Sequence, residues 1–153
     1  AVYTATTGDG QQNVFDMHQQ HEHCFRVRYQ ETDAQGRVHH ANYLTWFEIG
    51  RVEMLRASGY RYRELEEAGI MLVVADIRCQ YYQPALYDDL IRLVTTTIAA
   101  KGARIEHRYQ VFRDETLLAE GYSTVACIDR TGRVKRLPDF LLGRTQPAGD
   151  SAS

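Results

Sequence analysis

The stretch from Phe25 to Leu55, FRVRYQETDAQGRVHHANYLTWFEIGRVEML, most restricts what this chain can fold into. Phe25, Val27 and Tyr29 alternate with Arg26, Arg28 and Gln30, the period-2 pattern of a half-buried strand. Glu31 to His40 is polar and contains Gly36, so it reads as a loop. From Asn42 the apolar residues fall at helical spacing: Leu44, Phe47, Met54 and Leu55, with Tyr43, Trp46 and Ile49 broadening the face. A helix apolar nearly all round is predicted to be buried. The loop delivers a carboxylate, Asp33, close to the start of that helix. A helix start offers unpaired backbone N–H groups and a partial positive charge.

The rest of the chain supplies the partner for such a helix. Gly59 suits a helix end, and Tyr62 to Ala68 reads as two short helical turns closed by Gly69. The period then changes. Met71 to Gln83, Leu90 to Ala99, Ile105 to Arg113 and Leu117 to Asp129 read as long strands. Pro84, Lys101-Gly102 and Asp114-Glu115 separate them, and Thr131-Gly132 closes a short hairpin to Val134. The order predicts an α+β fold, one curved antiparallel sheet packed on one long helix. Edge strands of such length are usually paired or covered, which predicts self-association through a continuous sheet.

A chain of 153 residues fits one domain with a single core. We expect that domain over residues 21–142, with a flexible N-terminal extension at 1–20 and a disordered tail at 143–153. A net charge of −2 gives no reason to expect nucleic-acid or membrane-surface binding, and no apolar run approaches the roughly 20 residues of a membrane helix. With no secretory signal in view, a cytoplasmic location is expected. Cys24, Cys79 and Cys127 are read as small buried hydrophobes in a reducing compartment. His18, His21 and His23 cluster, but no cysteine or carboxylate sits at ligand spacing, so no metal site is expected.

The chemistry available is narrow. There is no G-x-S-x-G, no P-loop, no G-x-G-x-x-G and no zinc-finger spacing. What remains is the loop: Asp33, Gly36, His39, His40, Asn42 and Tyr43, with Glu48 and Arg51 on the helix behind. Asp33 could activate water as a general base or attack a carbonyl itself, with N–H groups around His40 and Ala41 holding the oxyanion. On spacing alone the other reading stays open, because Asp-x-x-Gly is a common turn and an aspartate near a helix start is often a cap. Glu48 and Arg51, three apart, are expected to pair with each other or to sit at a subunit interface. Tyr43 and Trp46 read as core, His107 as a satisfied surface or core histidine, and the adjacent His39 and His40 as pointing in different directions.

The run from Tyr29 through Thr32-Asp33-Ala-Gln-Gly36 to His40-Ala41-Asn42-Tyr43, then Phe47-Glu48 and Arg51, resembles the 4-hydroxybenzoyl-CoA thioesterase family of hotdog-fold proteins. It is most similar to the acyl-CoA thioesterase branch associated with Tol-Pal genes. The likeness continues in Glu53-Met54-Leu55, in Tyr81-Tyr82-x-Pro84-Ala85 and in Asp88-Asp89, and spans roughly Cys24 to Leu137. The resemblance implies a hotdog fold, about five strands wrapped around the central helix, assembled as dimers or tetramers. It implies hydrolysis of an acyl-CoA, with CoA as part of the substrate and no cofactor. The family's catalytic aspartate falls on Asp33, its oxyanion N–H on His40 and its turn glycine on Gly36; Ala41 adjoins them. Asn42, Tyr43, Lys101 and Arg104 are the implied substrate contacts, the last two toward the nucleotide phosphates. Gln35 and Arg37 stand where close relatives more often carry small or apolar residues. The alternatives are a hotdog dehydratase or hydratase, whose His-x-x-x-Gly-type loop is absent here, and a non-catalytic acyl-thioester binding module, against which Asp33 counts.

Overall fold

Alternation along three consecutive strands builds the wall on which everything else rests. In the computed structural model, which describes residues 20–142, the strands are β1 (Gln20–Arg26), β2 (Met71–Tyr81), β3 (Leu90–Lys101), β4 (Arg104–Arg113) and β5 (Thr116–Ile128). They form one antiparallel sheet in the order β1-β3-β4-β5-β2. Ile91, Leu93 and Thr95 of β3, Ile105, His107, Tyr109 and Val111 of β4, and Ala119, Ser123, Val125 and Cys127 of β5 all point to one buried face. Period-2 spacing puts them there. The expected extension and tail lie outside the described residues, apart from Gln20, which opens β1.

Helix α1 (Asn42–Ala57) lies across that face, and a short α2 (Tyr62–Glu67) follows it. Tyr43, Trp46, Phe47, Gly50, Arg51, Met54 and Leu55 form its buried stripe. The opposite side, Thr45, Glu48, Ile49 and Arg56, is exposed. This corrects the expectation of a helix buried nearly all round: one sheet covers one side of a helix, and Ile49 at 36% exposure is left outside. The close approach depends on two glycines. A Cβ on Gly121 would overlap the Phe47 ring, and one on Gly50 would overlap Thr95 Oγ1. With both positions bare, Phe47 stacks on Tyr109 at 4.4 Å between ring centroids.

The strand boundaries hold to within a few residues except at β1. It begins at Gln20 and ends at Arg26, so Tyr29 is not a strand residue; it opens a 3₁₀ turn, Tyr29–Glu31, and is 76% exposed. Val27 closes the ladder by exchanging backbone bonds with Asp88 and Asp89. The hairpin past β5 forms as read, with an Ile128–Val134 bridge. Of the cysteines only Cys127 is buried; Cys79 is half-buried and Cys24 exposed, and all three are free thiols. No described helix is long and apolar enough to cross a membrane.

Candidate active site

Glu31 organises the loop. Its carbonyl accepts the His39 amide at 2.9 Å and the Asn42 side-chain amide at 2.7 Å. Its carboxylate accepts the Trp46 indole N–H on Oε2 at 2.7 Å and the Arg28 amide on Oε1 at 2.8 Å. The residue is only 5% exposed. A buried carboxylate survives in a fold when its oxygens are hydrogen-bonded, as here. Two further ties fix the loop's far end. Val38 N–H donates to Ala85 O at 2.9 Å, and the Tyr81 hydroxyl donates to His40 O at 2.9 Å. Burial, and then Cys79 beside it, push the Tyr81 phenol upward, so it keeps the proton it donates.

Asp33 sits at the tip. Its amide donates to Arg37 O at 2.7 Å, and its carbonyl accepts Gly36 N–H at 3.0 Å. Gly36 takes φ +78°, the left-handed region that favours glycine. Carboxylate Oδ1 accepts the Gln35 amide at 2.8 Å and the Arg37 amide at 3.3 Å. Oδ2 has no partner among the described residues, and the side chain is exposed. Asp33 does not cap α1, because the residue at its N-cap is Ala41 and no side chain bonds there, whereas the Asp-x-x-Gly turn of the same alternative reading does form. Asp33 is instead oriented by its own loop, which fixes one oxygen and presents the other.

The helix start supplies one donor where two were expected. The Ala41 amide donates to His39 Nδ1 at 3.2 Å, so it is occupied. The His40 amide has no partner among the described residues. The two imidazoles, expected to point apart, stack at 4.3 Å. Asn42 and Tyr43, implied as substrate contacts, both serve the backbone here: Asn42 reaches Glu31 O, and the Tyr43 hydroxyl accepts the Ala85 amide at 3.2 Å. Tyr43 is buried, as its apolar surroundings predicted.

Other expectations separate in space. Lys101 and Arg104 pair across the β3–β4 turn, whereas the Asp33 loop adjoins the opposite end of β3 through the Arg37–Leu86 bridge. Twelve strand residues put these ends on the order of 35 Å apart within the chain. Glu48 and Arg51 do not pair. Arg51 turns under the helix and donates to the Tyr109 hydroxyl at 2.9 Å, which in turn bonds Ser123 Oγ at 2.6 Å. His107 is a core residue, but its Nδ1 lacks a partner among the described residues. No group of three metal-ligating side chains occurs among the described residues.

Sequence reasoning passed over Glu31 and Tyr81. A glutamate two residues before the loop aspartate, with a tryptophan fifteen residues on, is a signal for the first. Tyr81 carried none, since its role depends on a contact 41 residues away in sequence.

The chain is similar in sequence and in fold to known proteins. A profile of the thioesterase-like superfamily matches residues 27–145. An acyl-CoA thioesterase, YbgC, from Haemophilus influenzae is 37% identical over 111 residues, 72% of this chain and 81% of that protein. The crystal structure of a probable thioesterase from Bartonella henselae superposes with a TM-score of 0.74 at 31% identity, covering 78% of this chain and 99% of that one. The DHNA-CoA thioesterase of Staphylococcus aureus gives a TM-score of 0.75 at 28% identity, over 79% and 82% of the two chains. The five-stranded sheet and long helix match these hotdog thioesterases, and the chain belongs to the thioesterase-like superfamily.

Proposed function

We propose that the protein hydrolyses acyl-CoA thioesters with Asp33 as the base. The observation that carries this reading is one loop presenting a carboxylate oxygen, Asp33 Oδ2, and an unengaged N–H, that of His40, in a superfamily of thioesterases. A water molecule adds to the thioester carbon and gives its proton to Asp33 Oδ2. The carbonyl oxygen gathers negative charge, which the His40 amide stabilises. The tetrahedral species collapses, the C–S bond breaks, and the departing sulfur takes the proton from Asp33. Water and thioester become acid and thiol, and no cofactor is required. Direct attack by Oδ2 would give an anhydride that water opens. When water opens the anhydride at the aspartyl carbon, a single turnover in ¹⁸O-water leaves the label in Asp33 and an Asp33 oxygen in the acid; general-base attack never labels Asp33.

Free thiol should appear when the protein meets a panel of aliphatic and aromatic acyl-CoAs, read by a thiol reagent. Binding of acyl-CoA without thiol release across the panel would establish the non-catalytic module instead. The unpaired Cys24, Cys79 and Cys127 fit the reducing cytoplasm as its compartment.

The assembly follows from the open edge. Strand β2 has one paired side, and its Val73, Val74 and Tyr81 are 38%, 46% and 47% exposed. Antiparallel pairing of β2 with a second copy gives a homodimer with a continuous sheet. This arrangement also places Lys101 and Arg104. Tyr81, at one end of β2, touches the His40 carbonyl, while the β3–β4 turn lies level with the Met71 end. A two-fold axis between the two paired β2 strands therefore brings the turn of one subunit to the rim that carries Asp33 of the other. Sedimentation should show a dimer or tetramer at micromolar concentration, and Lys101→Ala should raise KM for acyl-CoA while sparing a pantetheine thioester that lacks the nucleotide. A stable monomer would remove the interface.

A further inference from the structure

We propose that Glu31 is a positioning residue for the reaction. It is a buried carboxylate that holds the His40 amide and Asp33 in register without touching substrate. The inference rests on the reading of Asp33 and His40 given above. Four bonds converge on Glu31. The Arg28 amide and Trp46 indole bind the carboxylate, and the His39 amide and Asn42 side chain bind the carbonyl. Arg28 lies where the chain leaves β1, His39 directly before His40, and Asn42 and Trp46 on the first turns of α1. Glu31 thus ties the strand exit, the end of the loop and the helix to each other. Asp33, two residues on, leaves from the same anchored turn.

The two carboxylate oxygens have separate tasks, and both are acceptors. Oε1 faces a backbone N–H and also has the Arg28 Nε at 3.5 Å; Oε2 faces the indole N–H. Trp46 is 1% exposed, so its N–H has no water to turn to. Glutamine has the same size but only one acceptor. In the glutamine variant either the buried indole N–H or the part-buried Arg28 amide must face an NH₂ group, donor against donor, and the turn shifts to relieve it. The shift is transmitted through the Glu31 carbonyl to the His39 amide and hence to the neighbouring His40 N–H. A displacement of that donor of the order of an ångström is enough to weaken an oxyanion contact severely.

The test uses Glu31→Gln, Trp46→Phe and the double variant in the full-length protein. Glu31→Gln should lower kcat by roughly 10- to 100-fold and change KM for acyl-CoA by less than about threefold, with oligomeric state intact. Trp46→Phe removes the indole donor and leaves the glutamine free to turn its oxygen to Arg28. In that background Glu31→Gln should therefore cost less than about threefold in kcat, a rescue that general loosening of the fold would not give. A second readout does not depend on catalysis: amide hydrogen exchange at His39, whose N–H is held by the Glu31 carbonyl, should speed up in Glu31→Gln and not in Asp33→Asn. Wild-type kcat and exchange in Glu31→Gln, or a loss that simply adds to that of Trp46→Phe, would overturn the positioning role. Full activity of Asp33→Asn would overturn the underlying site instead, while faster exchange in Glu31→Gln would still report the loop anchor.

Discussion

Asp33→Asn should fold, assemble and bind acyl-CoA as the parent protein does, yet turn over at least about 10²-fold more slowly, the scale on which loss of a general base is felt. The geometry makes this substitution clean. Oδ1 accepts the amides of Gln35 and Arg37, and the asparagine oxygen can accept both. Oδ2, replaced by NH₂, has no partner among the described residues, so no donor is set against a donor. The loop therefore keeps its shape, and the change falls on basicity alone. Its effect belongs in kcat, with KM little altered, because the proton is taken only as the transition state forms. Asp33→Ala differs, since it also removes the acceptor of two loop amides and should lower the melting temperature. A folded Asp33→Asn protein with near-parental kcat would mean that the carboxylate shapes a turn and does no chemistry.

What the sequence disclosed and what it hid divide along a physical line. Signals carried by period and by local turn chemistry were legible. The alternation of β3, β4 and β5, the glycine turns and the long apolar helix gave the α+β fold and the loop that holds Asp33. Relations that depend on which side a residue faces after packing were not. Arg51 sits one turn from Glu48, yet tertiary structure sends it to Tyr109, because the helix stripe that contains it faces the sheet. Tyr29 fits strand alternation, but Glu31 draws the chain into a turn two residues early. Lys101 and Arg104 lie far from the loop along β3, a separation set by strand length that no motif records. Ile49 is exposed although its helical spacing suits the buried face, because an apolar residue on a helix does not say which side its own sheet will cover.

The core histidine His107, whose Nδ1 lacks a partner among the described residues, leads to a strong dependence on pH. His107 is 6% exposed, on the sheet face beneath α1, between Thr97 of β3 and Ser123 of β5. Burial first, and the Arg51 guanidinium second, push its pKa from 6.5 down to about 3. In the unfolded chain His107 takes a proton below about pH 6.5; in the folded protein it refuses one until about pH 3. Between those values the unfolded state binds more protons, so stability rises with pH there. The contribution is fully present above pH 6.5 and is lost as pH falls toward 3, by on the order of 4 kcal/mol at the acid end. Against a total of about 5–15 kcal/mol for an ordinary domain, this is a large share. Carboxylates such as Glu120 and Asp129, held low by hydrogen bonds, weaken the fold over the lower part of the same range. They do so equally in a variant, so the comparison isolates the imidazole. His107→Leu carries no titrating group and removes a buried nitrogen that lacks a partner. Its melting temperature relative to the parent should climb steadily as the pH is lowered from 7 to 4. Its pH–rate profile should keep its shape, since His107 belongs to the packing under the helix and not to the Asp33 loop. A melting difference that stays constant across that range would show that His107 titrates alike in the folded and unfolded chain.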